Sequence, residues 1–76
     1  MYRRLRDLRE DADLTQTQVA KYLGMSQTGY SKYETGDRVP SVDHLLKLAK
    51  YYETSVDYLL DLTDEPTPYP PKKAEG

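Results

Sequence analysis

Cysteine is absent from the 76-residue chain. That excludes a disulfide framework, a thiolate zinc site and a cysteine nucleophile. Phenylalanine, tryptophan and isoleucine are absent as well, and the single histidine, His44, cannot make a multi-histidine metal site. No apolar run approaches the ~18–20 residues of a membrane span, and there is no signal-peptide core. The expected setting is soluble and cytoplasmic. A nucleophile–base pair and a metal cluster are also lacking. Gly24, Gly29 and Gly36 are spaced as turn, helix and cap positions, not as a phosphate-binding loop. The chain therefore reads as a non-enzyme with no cofactor and no metal. Its size allows one small domain, burying about 60% of the surface exposed when unfolded.

What is present is leucine, ten residues, and tyrosine, eight. Leucine favours helix, and few residues here favour strand. The net charge of −2 argues against a non-specific nucleic-acid coat, which would be basic overall. It leaves room for a local basic patch. Residues 1–40 hold seven Lys/Arg and six Asp/Glu, whereas residues 41–76 hold four and seven. The acid lies in the second half, so the first half is freer to face phosphates.

Punctuation predicts five short helices over residues 1–62. Tyr2, Leu5, Leu8 and Ala12 recur at helical spacing and form one apolar stripe. Arg3, Arg4 and Arg6 fall on the solvated face. Thr15-Gln16-Thr17-Gln18 reads as a capping box opening a second helix. Val19, Ala20 and Leu23 form its buried face, and Gly24 ends it. Ser26 caps a third helix that runs to Gly36. Pro40 closes the loop that follows. Ser41 caps a fourth helix with Leu45, Leu46, Leu48, Ala49 and Tyr52 as its apolar stripe, and His44 faces solvent. Ser55 caps a fifth with Val56, Leu59 and Leu60 inward. Tyr51, Tyr52 and Tyr58 read as core or a dimer seam. Residues 63–76 hold four of the five prolines and read as an extended, disordered tail. Pro68-x-x-Pro71 formally matches a polyproline ligand, a route to a protein partner.

The segment 16–35 carries the main signal. Two short helices meet at a tight turn, with a small residue, Ala20, four before Gly24. Alanine lets the second helix cross closely, and glycine turns the chain with positive φ. This is helix-turn-helix spacing, in which the second helix enters the DNA major groove. At 100° per residue, Gln27, Thr28, Ser31 and Lys32 share an arc of about 140° on the helix over 27–35. Tyr30, Tyr33 and Glu34 fall opposite. The first face offers amide, hydroxyl and ammonium groups and no carboxylate, the chemistry that reads base edges and binds phosphate.

Leu14-Thr15-Gln16, Val19-Ala20, Leu23-Gly24, Ser26, Ser31-Lys32-Tyr33-Glu34-x-Gly36, Pro40-Ser41, Leu45-Leu46-x-Leu48-Ala49 and Ser55-Val56-Asp57-Tyr58-Leu59-Leu60 occur in this order. Over nearly all of residues 1–62 the chain thereby resembles the lambda-repressor-like, Cro/repressor-type (xenobiotic-response-element-type) helix-turn-helix proteins. The resemblance implies an all-α, compact five-helix DNA-binding domain that binds double-stranded operator DNA as a homodimer. It implies base contacts from Gln27, Thr28, Lys32 and Ser31. It implies phosphate contacts from Gln16, which also braces Gln27, and from Arg38. It also implies a structural ion pair between Arg9 and Glu34. Tyr30 departs from the family's usual β-branched aliphatic, so its phenol needs a partner or an edge position. Gly29 weakens the third helix by about 0.5–1 kcal/mol relative to alanine.

The function expected is a sequence-specific transcriptional regulator, a repressor on a palindromic operator, from a bacterium or phage. The competing reading is a protein-interaction module, such as an antitoxin or anti-regulator, on the same fold. The acidic second half and the Pro-rich tail favour it; the polar 27/28/31/32 face favours DNA.

Overall fold

The computed structural model describes residues 3–68. Its helices are α1 (Arg3–Asp11), α2 (Gln16–Leu23), α3 (Gln27–Thr35), α4 (Val42–Tyr51) and α5 (Val56–Leu59), with no strand among the described residues. None of these helices is long and apolar enough to cross a membrane.

Side-chain caps set the starts of α2 to α5. Thr15 accepts from the Gln18 N–H at 3.1 Å, and its own N–H donates to Gln18 Oε1 at 2.8 Å. Ser26, Ser41 and Ser55 each accept from the N–H three residues on. Every such bond satisfies a donor that the first helical turn leaves unpaired. Gly24 closes α2 at φ 73° and Gly36 closes α3 at φ 87°. A Cβ on Gly24 would meet nothing within 4 Å, so its left-handed backbone, not crowding, is what calls for glycine.

The core joins Leu5 of α1, Val19, Ala20 and Leu23 of α2, Tyr30 and Tyr33 of α3, Leu45, Leu48 and Ala49 of α4, and Leu59 of α5. Burial of each large apolar side chain contributes about 1.5–3 kcal/mol. Several sequence expectations shift here. Ala12 is exposed because α1 ends one residue earlier. Leu46 is 56% exposed, because Leu45, Leu48 and Ala49 already define the inward stripe of α4 and residue 46 turns away from it. Tyr51 leaves the core and stacks on Tyr22 with ring centroids 4.3 Å apart. Tyr2 lies outside the described residues.

Tyr30 is not at an edge, and its hydroxyl lies beside Glu34. It is the largest fully buried side chain, edge-on to Tyr33, and its hydroxyl has no hydrogen bond of ordinary geometry. The Tyr52 hydroxyl is buried and unpartnered. Burial pushes the Tyr52 phenol up to about 12, with Tyr51 and Glu34 adding to it.

Arg4 is not on a solvated face. Its guanidinium lies 3.9 Å from the Tyr58 ring centroid, pairs with Asp61 and Asp64 at 2.9 Å each, and donates to the Thr63 carbonyl at 2.8 Å. Thr54 Oγ1 donates to the Pro66 carbonyl at 2.6 Å. These bonds hold the irregular segment after α5 against α1 and the α4–α5 loop. Residues 69–76, including Pro71 of the polyproline pattern, lie outside the described residues.

Two outcomes follow. Tyr52→Phe deletes a buried hydroxyl that has no partner, so it leaves stability unchanged or raises it by up to about 1 kcal/mol; urea unfolding checks this, and a clear loss refutes the unpartnered assignment. Arg4→Met frees the segment at 61–67, so a non-specific protease cuts there faster than in the wild type while helix content by circular dichroism is retained.

Candidate nucleic-acid interface

The site begins behind α3, at Glu34. Its side chain is 3% exposed and lies between three elements. Arg9 of α1 approaches with two donors, Nε to Oε2 at 2.7 Å and Nη2 to Oε1 at 3.2 Å. The remaining Arg9 nitrogen, Nη1, donates to the Leu14 carbonyl at 3.0 Å, just before α2. Such a two-pronged pair fixes geometry as well as charge. Burial works to raise the Glu34 carboxyl, but the bonds from Arg9, Gln16 and Tyr30 outweigh it and hold the group below the usual carboxylate range. Arg9 is raised in turn, chiefly by its bond to Glu34. Burial first, then a hydrogen bond to Glu34 and its charge, push the Tyr30 phenol far up.

From Glu34 a line of hydrogen bonds runs to the surface. Gln16 Nε2 donates to Glu34 Oε1 at 3.0 Å, and Gln27 Nε2 donates to Gln16 Oε1 at 2.5 Å. The ion pair and Gln16 also line an open cleft of about 520 Å³, together with Arg6 and Thr35. Gln27 stands in the first turn of α3, where the Ser26 cap fixes the entry angle. Thr28 and Lys32 are exposed and Ser31 is partly so. Among the described residues these three side chains make no hydrogen bond or ion pair. The four residues expected from periodicity thus share the outer face of α3.

Arg38 follows α3 and folds back on it. Its N–H donates to the Lys32 carbonyl at 3.1 Å, and its Nη1 lies 3.8 Å from where a Cβ on Gly29 would sit. That Cβ would also meet Met25 Cε at 3.2 Å and Ser26 Oγ at 3.1 Å. The helix-weakening glycine therefore has a reason: it lets the loop before α3 pack closely. Among the described residues, no group of three His, Asp or Glu side chains is placed to hold a metal.

A further contact, not legible in the sequence, lies on the α4 side of α3. The Tyr33 hydroxyl and His44 Nδ1 are 2.6 Å apart, and their rings meet edge to face at 5.7 Å. His44 is half-buried against α3 rather than facing solvent. It ties the recognition-helix candidate to the first turn of α4. Tyr33 itself is 3% exposed and belongs to the core.

Comparison with known proteins gives a consistent result. A family model described as helix-turn-helix matches residues 5–59. The chain is 45% identical over 65 residues to an uncharacterized HTH-type transcriptional regulator, YobD of Bacillus subtilis, covering 86% of this chain and 58% of that protein. It is 41% identical over 56 residues to the cryptic phage CTXphi transcriptional repressor RstR of Vibrio cholerae, covering 74% of this chain and 50% of that protein. The chain thus spans little more than half the length of these relatives. Among solved structures, a transcriptional regulator from Listeria innocua superposes with a TM-score of 0.74 at 28% identity. That match covers 80% of this chain and 57% of the other.

The depressed Glu34 carboxyl sets a pH dependence. A group whose folded-state value lies below its unfolded one adds stability that is complete above the unfolded value, near 4.3 for glutamate. That stability is lost as pH falls through the folded value. Below about pH 5 the wild type therefore loses stability more steeply than Glu34→Gln, which starts lower because Arg9 is left unpaired. Urea midpoints measured from pH 7 to pH 3 check this; parallel curves would contradict it.

Proposed function

The chain belongs to the helix-turn-helix family, and from that membership we propose that it is a sequence-specific, DNA-binding transcriptional regulator. The observation that supports this most directly is the outer face of α3. Gln27 is held in place from behind, and Thr28, Ser31 and Lys32 are free beside it. Such a face has what base edges require: amide, hydroxyl and ammonium groups with no competing carboxylate.

In this reading α3 lies in the major groove. Gln27 pairs with adenine, accepting from N6 and donating to N7. Thr28 and Ser31 take neighbouring base edges, and Lys32 takes a guanine edge or a phosphate. Gln16 keeps one Nε2 hydrogen for phosphate at the start of α2, and Arg38 takes the backbone beside α3. One domain of this size reads few base pairs, so the reading includes a homodimer on a palindromic operator. Occupancy of a promoter would then repress it. The Vibrio cholerae relative, a transcriptional repressor, is in keeping with this.

The test is selection of bound duplexes from a random library at fixed, near-physiological salt. The wild type is expected to enrich a palindromic motif. Gln27→Ala is expected to relax one position in each half-site at a loss of about 1–3 kcal/mol. Lys32→Ala, if Lys32 meets a phosphate, weakens binding to all sequences and lowers the salt slope by about 1. Absence of any enriched motif would remove the DNA-reading assignment.

A further inference from the structure

We propose that Glu34 is a positioning residue for base specificity: through Gln16 it sets the direction of the Gln27 carboxamide, and so makes α3 select adenine over guanine. The inference rests on the DNA-reading assignment above and adds the origin of one specificity.

The argument turns on which groups can only accept. An ionised carboxylate has no hydrogen to give. Glu34 is gripped by Arg9 through both oxygens, so it stands behind Gln16 as a fixed acceptor. Gln16 must therefore turn its NH2 group toward Glu34, as the 3.0 Å contact shows. Its carbonyl oxygen then faces Gln27. At 2.5 Å, that oxygen cannot face a second carbonyl oxygen, so Gln27 must in turn offer its NH2 group. An amide flip at either glutamine would set two acceptors or two donors against each other. The direction of both carboxamides follows from the Glu34 charge and not from side-chain placement alone.

The direction decides what Gln27 has left. One Nε2 hydrogen is spent on Gln16. The other Nε2 hydrogen and the Oε1 lone pairs remain, one donor beside one acceptor. Adenine presents the complement in the major groove, an N7 acceptor beside an N6 donor. Guanine presents two acceptors, N7 and O6, and Oε1 would meet one of them. With the line reversed, Gln16 would donate to Gln27 Oε1 and both Gln27 hydrogens would point outward. That is the pattern guanine accepts. A neutral residue at 34, able to donate or accept, leaves both directions open.

The experiment uses two variants of the full chain. Glu34→Gln keeps the shape and removes the fixed acceptor. The paired replacement of Arg9→Met and Glu34→Met removes the whole ion pair; apolar replacement of a buried pair often preserves folding where breaking it does not. Duplex selection is run on both beside the wild type and Gln27→Ala. At the position that Gln27→Ala relaxes, the wild type is expected to prefer adenine over guanine by about tenfold or more. In whichever variant folds, this preference is expected to fall to about threefold or less, with preferences at other positions retained. A merely structural role for Glu34 would instead weaken binding to all sequences alike. An unchanged adenine preference overturns the proposal. A DNA-free reading separates the two assignments: in ¹⁵N–¹H spectra of the free protein, the Gln16 and Gln27 side-chain NH2 signals are expected to move together in the variants. If they move while the wild type selects no DNA, the hydrogen-bond line stands and the DNA assignment falls. If the Gln27 signals stay in place, the line itself is refuted.

Discussion

A carboxylate buried at Glu34 is the constraint from which the arrangement of the helices around the site follows. A charge with 3% side-chain exposure is tolerated only where its lone pairs are filled. Here the filling comes from far along the chain: Arg9 is 25 residues away and Gln16 is 18. Each bond brings a different element to α3. Arg9 brings α1 and, through the Leu14 carbonyl, the approach to α2. Gln16 brings the first turn of α2. Apolar residues of the right volume would stabilise this junction about as well. They would not fix the direction of the Gln16 carboxamide, because an apolar side chain neither donates nor accepts. The carboxylate does fix it, because hydrogen-bond energy falls steeply with angle and distance.

The same logic explains how a chain with no phenylalanine or tryptophan packs α3. Tyrosine fills the volume that large apolar side chains would otherwise take, at the cost of a hydroxyl that needs a partner. Tyr33 finds one in His44 and thereby joins α3 to α4. Tyr30 finds none of ordinary geometry and lies deeper, beside Glu34. One face of α3 thus seats on three other helices through polar contacts as well as apolar ones. The opposite face is left with Thr28, Ser31 and Lys32 unengaged. Rigid seating behind and free groups in front are two consequences of one amphipathic helix.

Much of this was legible in the sequence, and the division has a physical basis. Caps and turn glycines act within three or four residues, so Thr15-x-x-Gln18, Ser26, Ser41, Ser55, Gly24 and Gly36 could be placed without knowing the fold. Periodicity put Gln27, Thr28, Ser31 and Lys32 together for the same reason. The Arg9–Glu34 pair did not come from spacing; it came from the family resemblance. Neither source disclosed the Gln16–Glu34 bond, the Tyr33–His44 bond or the Arg4 clasp on residues 61–64, because each joins segments whose proximity only the tertiary packing creates. Leu46 was assigned to the stripe of α4 because a leucine run has more apolar residues than one helix face can bury. Periodicity gives the direction of a stripe, not its width.

The net charge of −2 also takes on a different meaning once the pairs are placed. Glu34 is matched by Arg9, Glu10 by Arg6, and Asp61 and Asp64 by Arg4. These pairs neutralise each other at contact distance. Charges beyond about 8 Å of water are largely screened at physiological salt. The field over the outer face of α3 is therefore set by what lies on it and near it: Lys32 on the face, and Arg38 beside Asp37 just after the helix. In the proposed DNA-binding role, specificity would then depend on hydrogen-bond direction at this face more than on gross attraction to phosphate. In that role, holding the Gln27 carboxamide to one direction would matter most for a protein with few positive charges to spare.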